Sequence, residues 1–250
     1  MTAGLKRISG VWTVRTVTLL FLFLGLFLAL LLAVWQLSKA PSFQLFGDVV
    51  VRVTTDQPYV ALTFDDGPSK RYTLEVLNTL KVHNVKATFY VTGREAEQNP
   101  THMKAIVAAG HDLGNHSYSH HRMVFMSPGR VRRELARTDA QIRNAGYAGA
   151  IRFRPPYGTR LITLPWVLKK QNRLTVMWDV APDADHRLPI KTIVDAAIQG
   201  ATAGSIILLH PMYASRQNTR DALGAIIEGL RKRGLEPVTM SKLLAARTER

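Results

Sequence analysis

The segment between Arg15 and Lys39 carries no formal charge, and it constrains this chain more than any other feature of the sequence. From Leu19 to Val34 every residue is apolar or glycine. A helix over this segment would be about 34 Å long at ~1.5 Å per residue, enough to cross a hydrocarbon core of ~30 Å. The segment also lacks the polar stripe of a helix that packs on a soluble core. It therefore predicts a membrane-spanning helix over residues 16–38.

A cleaved secretory signal peptide is the second interpretation of this segment, because basic residues precede the apolar run. The run is longer than the ~7–15 residues usual in signal peptides. The small-x-small pattern Ser38-Lys39-Ala40, where cleavage would occur, is followed by proline. We therefore favour an uncleaved signal anchor.

The distribution of charge predicts how the chain is oriented. Lys6, Arg7 and Arg15 precede the helix and no acidic residue does. The positive-inside rule therefore keeps residues 1–15 in the cytoplasm as a tail and places the rest of the chain outside. The formal net charge of +15 favours anionic partners such as lipid headgroups or acidic wall polymers. We expect the helix to lie in the lipid bilayer, and we expect no nucleic-acid partner for an exported domain; the oligomeric state stays open.

Residues 39–57 are predicted to form a linker or an edge strand, and residues 58–250 a single domain in which apolar runs alternate with helical stretches. The apolar runs cover residues 59–64, 87–91, 111–114, 151–153, 174–178, 205–209 and 235–238. The helical stretches cover residues 73–83, 101–109, 130–144, 164–170, 190–201 and 221–232. This alternation predicts an α/β fold with a parallel sheet, and seven candidate strands favour a barrel, complete or incomplete, over an open sheet.

Ionisable residues follow five of these predicted strands, at the end where a parallel barrel carries its active site. They are Asp65-Asp66, the segment from His116 to His120, Arg154, Asp179 and His210. One such residue alone would only mark a loop, but five strand ends together indicate a functional site.

Two carboxylates and two histidines in this set predict a metal site. Asp65 and Asp66 can share one site if the chain turns at Gly67-Pro68, and two adjacent carboxylates repel unless a cation separates their roles. His116 and His120, four residues apart, can lie on one face of a helical turn. Because the chain has no cysteine, thiolate zinc sites are excluded. Two histidines with one carboxylate leave open positions on the ion, which is typical of a catalytic metal.

At four segments the sequence resembles the polysaccharide deacetylases of the NodB-homology type, also called carbohydrate esterase family four. The segments are Thr63-Phe64-Asp65-Asp66-Gly67-Pro68, His116-Ser117-Tyr118-Ser119-His120, Arg154-Pro155-Pro156-Tyr157-Gly158 and Leu208-Leu209-His210. The resemblance covers about residues 58–245. It implies a distorted (β/α)7 barrel that removes acetyl groups from the N-acetylated sugars of a peptidoglycan or chitin-like glycan. It also implies a divalent metal ion, with Zn²⁺ as the first candidate.

The resemblance also implies a role for each matching residue. Asp66, His116 and His120 would hold the metal. Asp65 would be the general base, and Arg154 beside it would keep it ionised, since a nearby opposite charge lowers a carboxyl pKa.

The remaining roles fall on the third and the last segments. The backbone N–H of Tyr157 would stabilise the oxyanion, and His210 would protonate the departing amine. Tyr157, Trp178 and Leu208 are the predicted substrate contacts, with Met212 as a further candidate for the apolar wall.

One family motif is altered in this chain. Members usually carry an aspartate that orients the acid histidine and, after it, a tryptophan that lines the acetyl pocket; here Ala181 and Asp185 occupy those positions. Asp183 or Asp179 could replace the missing aspartate, or both could be solvated loop residues.

Three functions follow from these observations. The first is a membrane-anchored, metal-dependent N-deacetylase. The second is a sugar-binding pseudoenzyme that the altered motif has deprived of turnover. The third is an iron oxygenase with two histidines and one carboxylate, which uses the same ligand types in a different fold.

Overall fold

A computed structural model describes residues 14–248. The chain divides into two units, Met1–Lys39 and Ala40–Arg250. The first contains helix α1, Val14–Lys39. The segment of this helix from Thr16 to Lys39 is long and apolar enough to cross a membrane. The leucines and phenylalanines of α1 are exposed, as they would be in a helix that meets lipid. The distinction between an anchor and a signal sequence stays a prediction.

Within residues 40–248 the second unit alternates strands and helices. The strands are β1 Val49–Val50, β2 Tyr59–Asp65, β3 Thr88–Val91, β4 Asp112–Asn115, β5 Thr175–Val176, β6 Ile206–Leu209 and β7 Glu236–Val238. The helices are α2 Thr73–Val82, α3 Gly93–Gln98, α4 Pro100–Ala108, α5 Pro128–Asn144, α6 Thr163–Lys170, α7 Ile190–Gly200, α8 Gln217–Lys232 and α9 Met240–Ala245. Two 3-10 turns, Pro156–Gly158 before α6 and Ala214–Arg216 before α8, lie between these elements.

The strand pairings between these elements are all parallel. The sheet runs in the order β4-β3-β2-β6, β7 pairs with the start of β2, and β1 pairs with β5. Single parallel bridges join Phe153 to Asn115 and to Thr175, and Val180 to Ile207. The α/β class is therefore confirmed, and closure of the strands into a barrel stays a prediction.

The two faces of β2 explain where the site lies. Val60, Leu62 and Phe64 belong to the main core cluster, which also contains buried residues of α2 and α8. The alternate residues Thr63 and Asp65 point to the opposite face, because side chains alternate along a strand. Since the strands are parallel, their carboxyl ends meet at one edge, and Asp65 lies there with the residues that follow β4 and β6.

The structure refines three features of the sequence analysis. The apolar run 151–153 is reduced to a bridge at Phe153, because the prolines at 155 and 156 have no N–H with which to continue a ladder. Of the two alternatives for residues 39–57, a strand is present: β1 pairs with β5, the compact unit starts at Ala40, and Val50 and Val53 are buried. Helices α3 and α9 were not predicted; each has six residues, too few to show a helical period.

Candidate metal and acid-base site

A sharp turn after β2 brings two carboxylates to one place. Asp65 ends the strand, and Asp66 and Gly67 adopt φ angles of 72° and 70°. A side chain at Gly67 would also meet Met212, with its Cβ 2.8 Å from Cγ of that residue. Both carboxylates consequently approach His116: its Nε2 lies 3.6 Å from Asp65 Oδ2 and 3.9 Å from Asp66 Oδ1.

His116 and His120 lie on a loop and not on the helical turn that their spacing suggested. Ser117 and His120 adopt φ angles of 64° and 57°, which break a helical path. The Ser117 hydroxyl accepts the His120 N–H at 3.1 Å, and the two imidazole rings stand with centroids 5.0 Å apart. The loop therefore brings the histidines together by a different backbone route. His120 Nε2 is 3.2 Å from Asp66 Oδ1.

The donor set Asp66, His116 and His120 fits a divalent cation. One ligand atom from each lies within 4.8 Å of the others, and Asp66 Oδ1 is buried without a hydrogen-bond partner within residues 14–248. His116 Nδ1 donates to the carbonyl of Arg154 at 2.7 Å, so its Nε2 presents a lone pair to the site.

Two pKa shifts at these ligands agree with metal binding. Burial lowers the pKa of His120 to about 4, so this imidazole is neutral, as a ligand must be. Burial raises the pKa of Asp66 to about 6. A cation beside Asp66 would offset that burial and keep the carboxylate ionised.

Asp65 is held by a fully buried arginine. Arg154 Nη1 donates to Asp65 Oδ1 at 2.7 Å and to the Thr63 hydroxyl at 2.8 Å. Its other donors reach the carbonyls of Val176 and Met177. Burial raises the pKa of Asp65, but the charge of Arg154 with its hydrogen bond, and the nearby histidines, bring the net value below the usual range. Asp65 is thus an ionised carboxylate beside the candidate metal site.

His210, at the end of β6, pairs with Asp183 and not with Asp179. Asp183 is fully buried; it accepts the His210 backbone N–H at 2.7 Å and stands 3.1 Å from Nδ1. Asp179 instead accepts bonds from Ser205 and from the N–H of Ile206. Burial lowers the pKa of His210, yet the hydrogen bond and charge of Asp183, with Asp65 and Asp66, raise it above its ordinary value.

The predicted substrate contacts occupy different depths. Tyr157, with a φ of 58°, is 55% exposed and packs on the His120 ring at a centroid distance of 4.8 Å. Trp178 is half-buried and lies beside Gly158. Leu208 is buried opposite Thr63 in the β2–β6 register. Tyr157 therefore faces solvent at the mouth, whereas Leu208 lies within the sheet.

Sequence reasoning missed the residues that brace this site. Glu134 on α5 accepts the backbone N–H groups of Tyr118 and Ser119, at 3.0 and 2.8 Å, and holds the histidine loop. Glu95 on α3 accepts the Gly67 N–H at 2.8 Å and the Thr92 hydroxyl. The Thr92-x-x-Glu95 spacing of a capping box could have revealed Glu95, but Glu134 carries no local signal.

Comparisons with known proteins place this chain among polysaccharide deacetylases. Residues 52–176 match the family model described as polysaccharide deacetylase. A peptidoglycan-N-acetylglucosamine deacetylase of Bacillus cereus is 38% identical over 194 residues, which are 76% of this chain and 70% of that protein. Other relatives are longer, and the chain spans 31% of a bifunctional xylanase/deacetylase of Pseudobutyrivibrio xylanivorans.

Two solved structures resemble this protein. The Bc1960 peptidoglycan N-acetylglucosamine deacetylase superposes with a TM-score of 0.74 at 35% identity, over 81% of this chain and 95% of that one. BA3943, described as a CE4 family pseudoenzyme from Bacillus anthracis, gives a TM-score of 0.74 at 28% identity, over 82% of this chain and 72% of that one. The fold therefore occurs in an enzyme and in a pseudoenzyme, and the site residues have to decide between them.

Proposed function

This chain belongs to the polysaccharide deacetylase family, whose enzymes are hydrolases, and we propose that it removes N-acetyl groups from N-acetylhexosamine residues of a glycan and releases acetate. One observation carries the proposal. Asp65 is kept ionised by a buried arginine, 3.6 Å from a histidine of an Asp-His-His donor set. A protein that only binds sugar has no need of an ionised carboxylate beside the metal ligands.

Asp66, His116 and His120 would hold the divalent cation. We favour Zn²⁺, because imidazole nitrogens and a carboxylate oxygen are among its usual ligands. When bound, the ion supplies Lewis acidity to the amide carbonyl and to the attacking water. The carbonyl of Arg154 keeps His116 in the tautomer whose Nε2 faces the ion.

Asp65 acts as the general base in this proposal. One of its oxygens is engaged by Arg154, and the other faces the metal ligands, where it takes a proton from the attacking water. Arg154 keeps the carboxylate ionised before the proton arrives. The backbone N–H of Tyr157 donates to the amide oxygen as negative charge develops on it.

His210 is the general acid that protonates the departing amine nitrogen. Its Nδ1 is engaged by Asp183, so Nε2 is the atom that delivers the proton. Asp183 supplies the orientation that family members obtain from the aspartate that is missing here. This replacement supports an active enzyme over a pseudoenzyme, and family membership argues against the iron oxygenase.

The relatives and α1 support a proposal for the substrate and for the location of the protein. We propose a peptidoglycan-like glycan first and a chitin-like oligomer second, with Trp178 and Leu208 in the wall of the acetyl pocket. The isolated β-bridges at Phe153 and Val180 support a distorted (β/α)7 barrel. We further propose that residues 16–38 anchor the protein in the cell membrane, with residues 1–15 cytoplasmic and the catalytic domain outside.

Acetate release by the full chain in detergent micelles tests the proposal. Peptidoglycan and N-acetylglucosamine oligomers are the substrates, and Asp65→Asn is compared with Asp195→Asn, which changes an exposed aspartate on α7. We expect release that a chelator stops and zinc restores, with loss in Asp65→Asn only. Folded, metal-loaded protein that releases no acetate from either glycan would contradict the proposal and favour the sugar-binding pseudoenzyme.

A further inference from the structure

Arg160 is a buried cation that the proposed mechanism does not use. Arg160 is 2% exposed, and no carboxylate of residues 14–248 forms an ion pair with it. Burial alone lowers its pKa to about 10, so it remains charged at neutral pH. A buried charge without a counterion is costly unless hydrogen bonds compensate it. The partners of Arg160 should therefore reveal what the residue is for.

Apart from the Met177 sulfur, 3.3 Å from Nη1, those partners are backbone carbonyls of two segments that are far apart in the sequence. Nη2 lies 3.0, 2.7 and 2.9 Å from the carbonyl oxygens of Ala40, Pro41 and Phe43. Nη1 donates to the carbonyl of Gly158 at 3.0 Å. A single guanidinium thus ties the first residues of the compact unit to the turn that contains Tyr157.

That turn needs external support. Tyr157 and Gly158 are two consecutive residues in the left-handed region, with φ angles of 58° and 65°. A non-glycine residue in this region is strained and persists only where its surroundings fix it. Inside the turn, the N–H groups of Gly158 and Thr159 donate to Pro155 and Pro156, at 2.9 and 3.2 Å.

We propose that Arg160 is a positioning residue for the Tyr157–Gly158 turn, and that it works by clamping this turn to residues 40–43. The segment after the apolar helix is then part of the support of the active site. Its effect on catalysis rests on the proposed function, in which the Tyr157 N–H stabilises the oxyanion. Its effect on the turn itself does not depend on any activity.

Two measurements on the full chain in detergent micelles test the clamp. Hydrogen exchange reports the protection of the Gly158 and Thr159 amides, and acetate release reports kcat and KM. The variants are Arg160→Met, Arg160→Lys, and a chain in which residues 41–46 are replaced by glycine and serine at equal length. Arg143→Met is the matched control, because Arg143 also donates to two loop carbonyls, those of Tyr147 and Gly149.

In Arg160→Met we expect protection of both amides to fall at least ~10-fold and kcat to fall ~10-fold with KM within twofold, since small displacements of a positioned group slow the reaction without weakening binding. Lysine should restore part of both, because it keeps the charge and three donors. The glycine-serine chain should lose protection in the same direction. Combining it with Arg160→Met should cost less than the sum of the two separate losses, because both changes weaken the same clamp.

Parent-level exchange and kcat in Arg160→Met would overturn the inference, and so would equal losses in Arg143→Met. If Arg160→Met fails to fold, unchanged exchange in both Arg160→Lys and the glycine-serine chain would overturn it. If the parent protein releases no acetate, the proposed function fails, and the exchange measurements alone decide whether the clamp exists.

Discussion

Replacing Asp183 by asparagine should separate the acid role of His210 from the rest of the site. One Asp183 oxygen accepts from the His210 backbone N–H and from the Thr219 hydroxyl, and the other faces His210 Nδ1. In Asp183→Asn the remaining oxygen is expected to stay with the two donors. The amide NH₂ then faces Nδ1, which disfavours the protonated imidazole.

The size of this effect follows from the lost charge. A hydrogen bond to a charged group contributes ~1.5–3 kcal/mol, and one pKa unit corresponds to about 1.36 kcal/mol. The pKa of His210 should therefore fall by about 1–2 units in the variant. Because the acid form exists only below this pKa, the alkaline limb of kcat should move to lower pH by the same interval. Above the pKa of His210 in the parent protein the rate of the variant should be ~10- to 100-fold lower.

The assay is the pH profile of acetate release by the full chain in detergent micelles, with circular dichroism to verify folding. Asp179→Asn is the matched control, since Asp179 lies in the same segment but contacts Ser205 and Ile206. The control should keep the alkaline limb of the parent. An unshifted limb in Asp183→Asn, or an equal shift in Asp179→Asn, would refute the assignment of Asp183.

Three further predictions concern stability and metal binding. Arg154→Met leaves Asp65 buried and unpaired, so urea unfolding should show a loss of ~3–5 kcal/mol, whereas Arg52→Met, at an exposed arginine, should change stability by less than ~0.5 kcal/mol. Gly67→Ala places a Cβ 2.8 Å from Met212 at a residue with left-handed backbone, so thermal unfolding should show a stability loss of ~1–3 kcal/mol. Adding Met212→Ala should recover part of that stability. Calorimetric titration with Zn²⁺ should find one site that His120→Ala weakens at least ~10-fold and that His186→Ala, at an exposed histidine, leaves intact.

Local patterns in the sequence account for most of the fold and for the candidate metal ligands. Strand β2 is a continuous apolar run, so both its position and the carboxylates at its end could be predicted. The choice between Asp183 and Asp179 could not, because an extended segment places both on one face. In the structure only Asp183 reaches His210, while Asp179 accepts the Ile206 N–H at the start of β6.

Long-range contacts account for what the sequence left out. Glu134 lies on a helix that begins after the histidine loop, and its carboxylate accepts hydrogen bonds from that loop. No local sequence pattern predicts such a contact. The route of that loop also depends on it, so the spacing of His116 and His120 suggested a helical turn where none exists. At Phe153 the sequence predicted a strand that the structure reduces to isolated bridges, because the prolines that follow the apolar run cannot extend it.

Left-handed backbone is concentrated at the candidate site. Asp66, Ser117, His120 and Tyr157 all have positive φ angles, and each is a position where glycine would relieve strain. Selection for stability alone should therefore favour glycine at these four positions. That change would remove the candidate ligands Asp66 and His120 and the aromatic ring of Tyr157. Stability and activity are in conflict here, so a thermostable variant obtained without an activity screen should lose function first at these residues.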